Sequence, residues 1–239
     1  MLDVLVRKLL RRDDLTVAQR QKLNALPMRG RTVAAGDTIV HMGDRQGFSI
    51  ILLDGFAARM NLLRNGGRQF TELGLPGDFL DLHSLVMKRM DHSVLALTDC
   101  SLGLIDHEDL RKLLGDDPHL ARLFWLETVV DGAIHRVWLV GLGRQDALGR
   151  MAHLFCETYA RLEAVDRVTD GRFAFPLSQG ELADVLGLST VHVNRTLMAL
   201  RGLGLIDWRE GHVQVHAFDR LAEIGEFDPL YLRLWKEPV

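Results

Sequence analysis

The sequence predicts an α+β protein: an N-terminal β-roll or jelly-roll barrel, a long dimerisation helix and a C-terminal winged helix-turn-helix. Three observations predict it. Glycines recur from Gly30 to Gly77 between short apolar runs, as in small all-β domains. From Leu123 to Val140, apolar residues repeat at steps of three and four. From Leu177 to Val215 the chain reads as a capped helix, a glycine turn, a second helix without acids, and a two-stranded hairpin.

The elements follow in order. Leu2, Leu5, Val6, Leu9 and Leu10 recur at helical spacing, and a second short helix ends near Pro27. Ile39-Val40, Ser49–Leu53 and Val94–Leu97 read as strands, and Asn65-Gly66-Gly67 as a hairpin turn between 57–63 and 69–73. A helix from His107 to Leu114 stops at Gly115. A long one starts at Asp116-Asp117-Pro118, where two acids and a proline suit a first turn. Its seam is Leu123, Leu126, Val130, Ala133, Val137 and Val140; Phe124, Ile134 and Trp138 form a second stripe facing the barrel. A single core helix is the plainer alternative. Gly141 and Gly143 are expected to close it, and Asp146 to cap the next helix, 147–162. A polar segment, 164–172, follows. The expected divisions are 1–115 (sensory β-roll with N-terminal helices), 116–143 (dimerisation helix) and 144–239 (winged helix-turn-helix).

Net charge is −3, with 29 basic and 32 acidic residues. Residues 1–143 hold 18 of each; residues 144–239 hold 11 basic and 14 acidic. That balance does not exclude nucleic acid, because no acid lies between Asp184 and Asp207. No apolar run is long enough to span a bilayer and no signal-peptide core opens the chain, so no membrane association and a cytoplasmic location are expected. Two cysteines, Cys100 and Cys156, do not make a disulfide framework or an intrachain iron–sulfur cluster. One His-x-x-x-His spacing occurs, His212 to His216, but it falls on the predicted wing hairpin rather than on a helix, so no metal site and no catalytic residue is assigned.

The chemistry concentrates in the last third. Ser178 with Glu181 forms a capping-box pattern, Gly187 permits the turn, and Ser189 caps the second helix. The outward face of that helix carries Ser189, Thr190, His192, Asn194, Arg195 and Arg201, and with Ser178 these are the candidate DNA-binding residues. Hydroxyls donate to phosphates, Asn suits adenine, and Arg grips guanine O6 and N7 with two prongs. An ordinary helical hairpin with a solvated face is the bland alternative; caps, turn, acid-free helix and hairpin together favour double-stranded DNA.

The sequence LSQGELADVLGLSTVHVNRTLMALRGLGLI (177–206), with DALGRMA (146–152) and LPGDF (75–79), resembles the Crp/Fnr superfamily of bacterial transcription regulators. The resemblance covers nearly the whole chain. It implies a homodimer on a two-fold operator, with RNA polymerase as a further partner and a domain rearrangement as the switch. The family's base-reading arginine falls on Arg195; its usual glutamate falls on Val191, which implies an altered half-site.

The sensory half departs from the family. Where cyclic-AMP-binding relatives carry a ribose-binding glutamate and a phosphate-binding arginine, this chain has Leu82 and His92. Tight cyclic-AMP binding is therefore not expected. An effector other than cyclic AMP, or none, is expected; the pocket candidates are Leu82, His83, Ser84, His92 and Ser93. No cofactor is assigned. The alternative is a heme-dependent gas-sensing regulator of the same superfamily, since heme-binding relatives place their ligand histidine at His83. A cupin-type metal-dependent enzyme is the remaining alternative. It needs two histidines and a carboxylate converging inside the barrel, and the β zone offers His41, His83 and His92 without a His-x-His motif.

Overall fold

The computed structural model describes residues 2–238. Two helices, α1 (Asp3–Arg12) and α2 (Val17–Asn24), open the chain, the second held by a Thr16–Gln19 capping box. Seven strands follow: β1 (Arg29–Val33), β2 (Thr38–Val40), β3 (Phe48–Asp54), β4 (Ala57–Leu62), β5 (Arg68–Gly74), β6 (Ser93–Ala96) and β7 (Cys100–Asp106). They form two antiparallel sheets, in the orders β1-β7-β3 and β2-β6-β4-β5. Val33, Ile50, Leu52, Leu80, Val94 and Leu102 fill the space between them. A 3₁₀ turn, Leu82–Leu85, lies between β5 and β6.

The helices α3 (His107–Asp116) and α4 (Pro118–Arg144) lead out of the roll. Asp117 caps α4 by accepting from the Leu120 amide, with Pro118 at its first position. The helix does not stop at Gly141 or Gly143: both lie inside it, and it ends at Arg144. A glycine in mid-helix costs about 1 kcal/mol, too little to end 27 residues that are packed along one side. After Gln145, Asp146 caps α5 (Ala147–Glu163) as expected.

The predicted seam on α4 is divided between faces. Leu123 and Val130 are buried against the N-terminal helices and the C-terminal segment respectively, Leu126, Ala133 and Val137 are half-buried, and Val140 is exposed. The large apolar residues left exposed are Trp125, Val129, Leu139 and Val140, which form one stripe with Gly132 and Arg136 between them, and Leu142 to one side. A period of three and four fits any apolar stripe, so it could not tell the stripe turned inward from the one turned outward. Of the second stripe, Phe124 does pack on the roll, 5.4 Å from Phe79 between ring centroids, while Ile134 meets Leu232.

The C-terminal part comprises β8 (Val168–Thr169), β9 (Arg172–Ala174), α6 (Gln179–Leu186), α7 (Thr190–Gly202), β10 (Ile206–Arg209), β11 (His212–Val215) and α8 (Phe218–Gly225). The wing is larger than expected: β10 and β11 join β9 and β8 in a four-stranded sheet. The segment read as merely polar contains the hairpin β8–β9. Asp170-Gly171 turns it with φ values of 49° and 75°, and Glu210-Gly211 turns β10–β11 with 50° and 71°. Both residues at positive φ is the signature of a type I′ turn, and Asp-Gly is its strongest sequence signal.

Candidate nucleic-acid interface and sensory cavity

The helix-turn-helix is built by local chemistry. The Ser178 hydroxyl accepts from the Glu181 amide at 3.1 Å, and the Glu181 carboxylate accepts from the Ser178 amide at 2.7 Å. Gly187 then ends α6 in the left-handed region, φ 61°, and Ser189 accepts from the His192 amide at 3.3 Å to start α7. Val193, Leu197 and Leu200 bury one face of α7.

The opposite face does not treat its predicted residues alike. Thr190, Asn194 and Arg195 are exposed, and no residue among those described pairs with Arg195. Asn194 approaches Gln179 at 3.4 Å. Ser178 and Ser189 are exposed, but their hydroxyls are engaged as caps. His192 is half-buried. Arg201 donates to the Trp208 carbonyl and so braces the wing. Val191 (79% exposed) and Met198 (65%) add two apolar groups to the face, suited to thymine methyls rather than to base polar edges.

The candidate effector pocket takes a different form. A cavity of about 420 Å³ lies between the roll and α4. Of the five candidates only His83 and His92 line it. Leu82 packs into the apolar cluster under the N-terminal helices. Ser84 is buried against Asp81 and His107, at 3.3 and 3.1 Å, and Ser93 accepts from the Met42 amide at 3.0 Å. A 3₁₀ turn points consecutive residues in different directions, which a linear alignment cannot register.

The remaining walls are Arg59 and Asn61 of β4, Thr71 of β5, Met87, Asp91, and Thr128, Asp131 and His135 of α4. Arg59 was missed because a strand arginine looks solvent-facing until a helix covers it. It donates to Glu72 and to Asp131, both at 2.6 Å, and to the carbonyls of Leu80 and Phe79 at 3.2 and 3.3 Å. Four of its five N–H bonds are spent within the protein. Burial, with the Arg59 charge next, pushes His83 down to about 4. The same two causes hold His92 and His135 below the usual histidine range.

Beneath the cavity a buried ionic spine ties the parts together. Asp78 accepts from Lys8 and from Arg161, both at 2.7 Å. Glu127 of α4 meets Lys8 at 2.5 Å and Arg12 at 2.9 Å. Glu157 of α5 accepts from Arg161, Trp138 and Tyr231 at 3.0, 2.9 and 2.7 Å.

Comparison with known proteins agrees with this architecture. Residues 30–117 match the cyclic nucleotide-binding domain and residues 149–224 the Crp-like helix-turn-helix domain. The chain is 29% identical over 198 residues to the transcriptional activator protein FnrL of Cereibacter sphaeroides, covering 81% of this chain and 79% of that one. It is 27% identical over 194 residues to a probable transcriptional activator of Rhizobium leguminosarum bv. viciae, covering 80% and 78%. The structure of FixK2 from Bradyrhizobium japonicum superposes with a TM-score of 0.74 at 24% identity, over 83% of this chain and 98% of that one. With a β-roll, a long connecting helix and a capped helix-turn-helix each in place, the chain belongs to the Crp/Fnr family of transcription regulators, not to the cupin-type enzymes.

Proposed function

We propose that this regulator binds double-stranded DNA sequence-specifically as a homodimer on a two-fold operator, with an effector other than cyclic AMP. The observation that carries the reading is α7: capped at its start, free of acids, and presenting an unpaired Arg195 beside Thr190 and Asn194. Two such helices must reach major grooves one turn apart, about 34 Å. The exposed stripe Trp125, Val129, Leu139 and Val140 on α4 is the surface that pairs the protomers. RNA polymerase is the further partner, and the cytoplasm the setting; among the described residues no helix is long and apolar enough to cross a membrane.

Cyclic AMP is disfavoured because the cavity's arginine already serves Glu72 and Asp131, and among the described residues no other lysine or arginine lines the cavity. Heme fits no better. Arg59, Asn61, Thr71, Asp91 and Asp131 make the walls polar, whereas a porphyrin face needs apolar ones.

The test is operator selection from random duplexes, followed by gel shift with Arg195→Ala. The variant loses about 1–3 kcal/mol of specific binding while staying dimeric. Unchanged affinity refutes the assignment.

A further inference from the structure

We propose that His83, His92 and Asp91 form a binding site for a divalent transition-metal ion of the zinc, cobalt or ferrous class, inside the cavity between the roll and α4. Spacing along the chain does not single these three residues out. The fold assembles the site by setting the 3₁₀ turn that carries His83 against the loop that carries Asp91 and His92.

Three features of the cluster point to a metal rather than to a packed histidine pair. First, one donor atom from each of the three residues lies within 4.8 Å of the others, and the two rings are 5.1 Å apart between centroids. Nitrogens bound to one tetrahedral ion sit about 3.3 Å apart, so side-chain rotations and a small movement of the exposed Asp91 loop close the set. Second, His83 Nε2 is buried and has no hydrogen-bond partner, although His83 lines a polar cavity. A buried polar nitrogen left unpaired is unfavourable and is unexplained by packing. Third, Asp91 Oδ1 lies 2.7 Å from His92 Nδ1 and 3.9 Å from His83 Nε2, so these three atoms surround one point, which an ion occupies in place of the proton shared by His92 and Asp91.

The donor set also selects the class. Two imidazoles and one carboxylate suit borderline divalent ions and leave coordination positions open; they are too few in oxygen for calcium and too nitrogenous for magnesium. Arg59 opposes a cation here, but Glu72 and Asp131 pair with it at 2.6 Å. His135 of α4 lines the opposite wall, its Nε2 3.7 Å from Glu72. An ion or a small molecule on its open positions would therefore face the long helix.

The experiment uses the full-length protein, stripped with chelator and desalted, and titrated with Co²⁺ by visible absorbance and with Zn²⁺ by calorimetry. One Co²⁺ per chain binds with d–d bands and is displaced by Zn²⁺. His83→Ala and His92→Ala each weaken binding at least 30-fold, and Asp91→Ala about 10- to 100-fold. His41→Ala and His216→Ala leave it unchanged. Far-ultraviolet circular dichroism and thermal unfolding establish that each variant is folded. Failure of the wild-type protein to bind either ion below 100 μM overturns the proposal whatever the variants do. So does full binding by the His83→Ala/His92→Ala double variant, or a His83-dependent Soret band with hemin in a protein that takes no Co²⁺. The titration needs no DNA, so its failure leaves the DNA-binding reading standing.

Discussion

The two functional regions are made in opposite ways. The face of α7 comes from one contiguous stretch, in which each cap, turn and exposed side chain is fixed within a few residues of its partner. The candidate effector cavity draws its walls from β4, β5, a turn, a loop and α4, across sequence separations as large as that between Arg59 and His135. The first can be read by counting along the chain. The second exists only once the roll has closed and α4 has been laid over it. A substitution in α7 should therefore change recognition and little else, whereas one beneath the cavity should change the whole molecule.

The largest expected effect breaks the link between the regions. Arg161 of α5 donates to Asp78 of the roll at 2.7 Å and to the Leu73 carbonyl at 2.8 Å, all buried. Removing one partner of a buried ion pair strands the other, at about 3–5 kcal/mol. Arg161→Met should lower stability by that amount in urea unfolding. If the two parts instead unfold independently, the loss will be near zero. The acid limb supplies a second readout. Burial works to raise the Asp78 carboxyl, but Lys8 and Arg161 outweigh it and hold it well below the usual carboxylate range. A depressed folded-state value means stability that is present above the unfolded value near 3.8 and lost as pH falls below it. Asp78→Asn should be less stable at neutral pH and should flatten the fall below about pH 4.

Next comes the surface of α4 proposed to pair the subunits. Trp125 is 70% exposed and Val129 47%, a wasteful arrangement for a monomer. Trp125→Glu with Val129→Glu should shift the light-scattering mass toward the monomer and abolish operator binding with little change in circular dichroism. A dimer that survives places the interface elsewhere.

On the reading face, Val191→Glu tests specificity rather than strength. A carboxylate there can accept from cytosine N4, which valine cannot. The variant should lose about 1–3 kcal/mol on the wild-type operator and select a different half-site, with unfolding unchanged.

What the sequence disclosed follows the same division. The helix-turn-helix caps, the hairpin at Asn65-Gly66-Gly67 and the start of α5 were legible because each depends on near neighbours. Asp170-Gly171 carries an equally local turn signal, masked by the polar residues around it. The outward stripe of α4, the burial of Arg59 and the meeting of His83 with His92 were not legible. Each depends on which face a distant element covers, and neither period nor propensity encodes that.

The smallest effect is expected where the two regions touch at the surface. Arg68, at the start of β5, meets Asp184 of α6 at 2.5 Å, and Gln69 donates to the Val185 carbonyl at 3.0 Å. The strand that contributes Thr71 to the cavity therefore also leans on the helix that positions α7. An ion pair this exposed is worth no more than about 1 kcal/mol, so Arg68→Ala should barely move the unfolding midpoint. The same energy, spent on an equilibrium between two arrangements of the DNA-binding part, shifts operator affinity by up to about fivefold. A rise in affinity marks the arrangement described here as the one that withholds α7, and a fall marks it as the binding form. No change in affinity disconnects the hairpin from the switch and leaves the buried Asp78–Arg161 link as the route between cavity and reading helix.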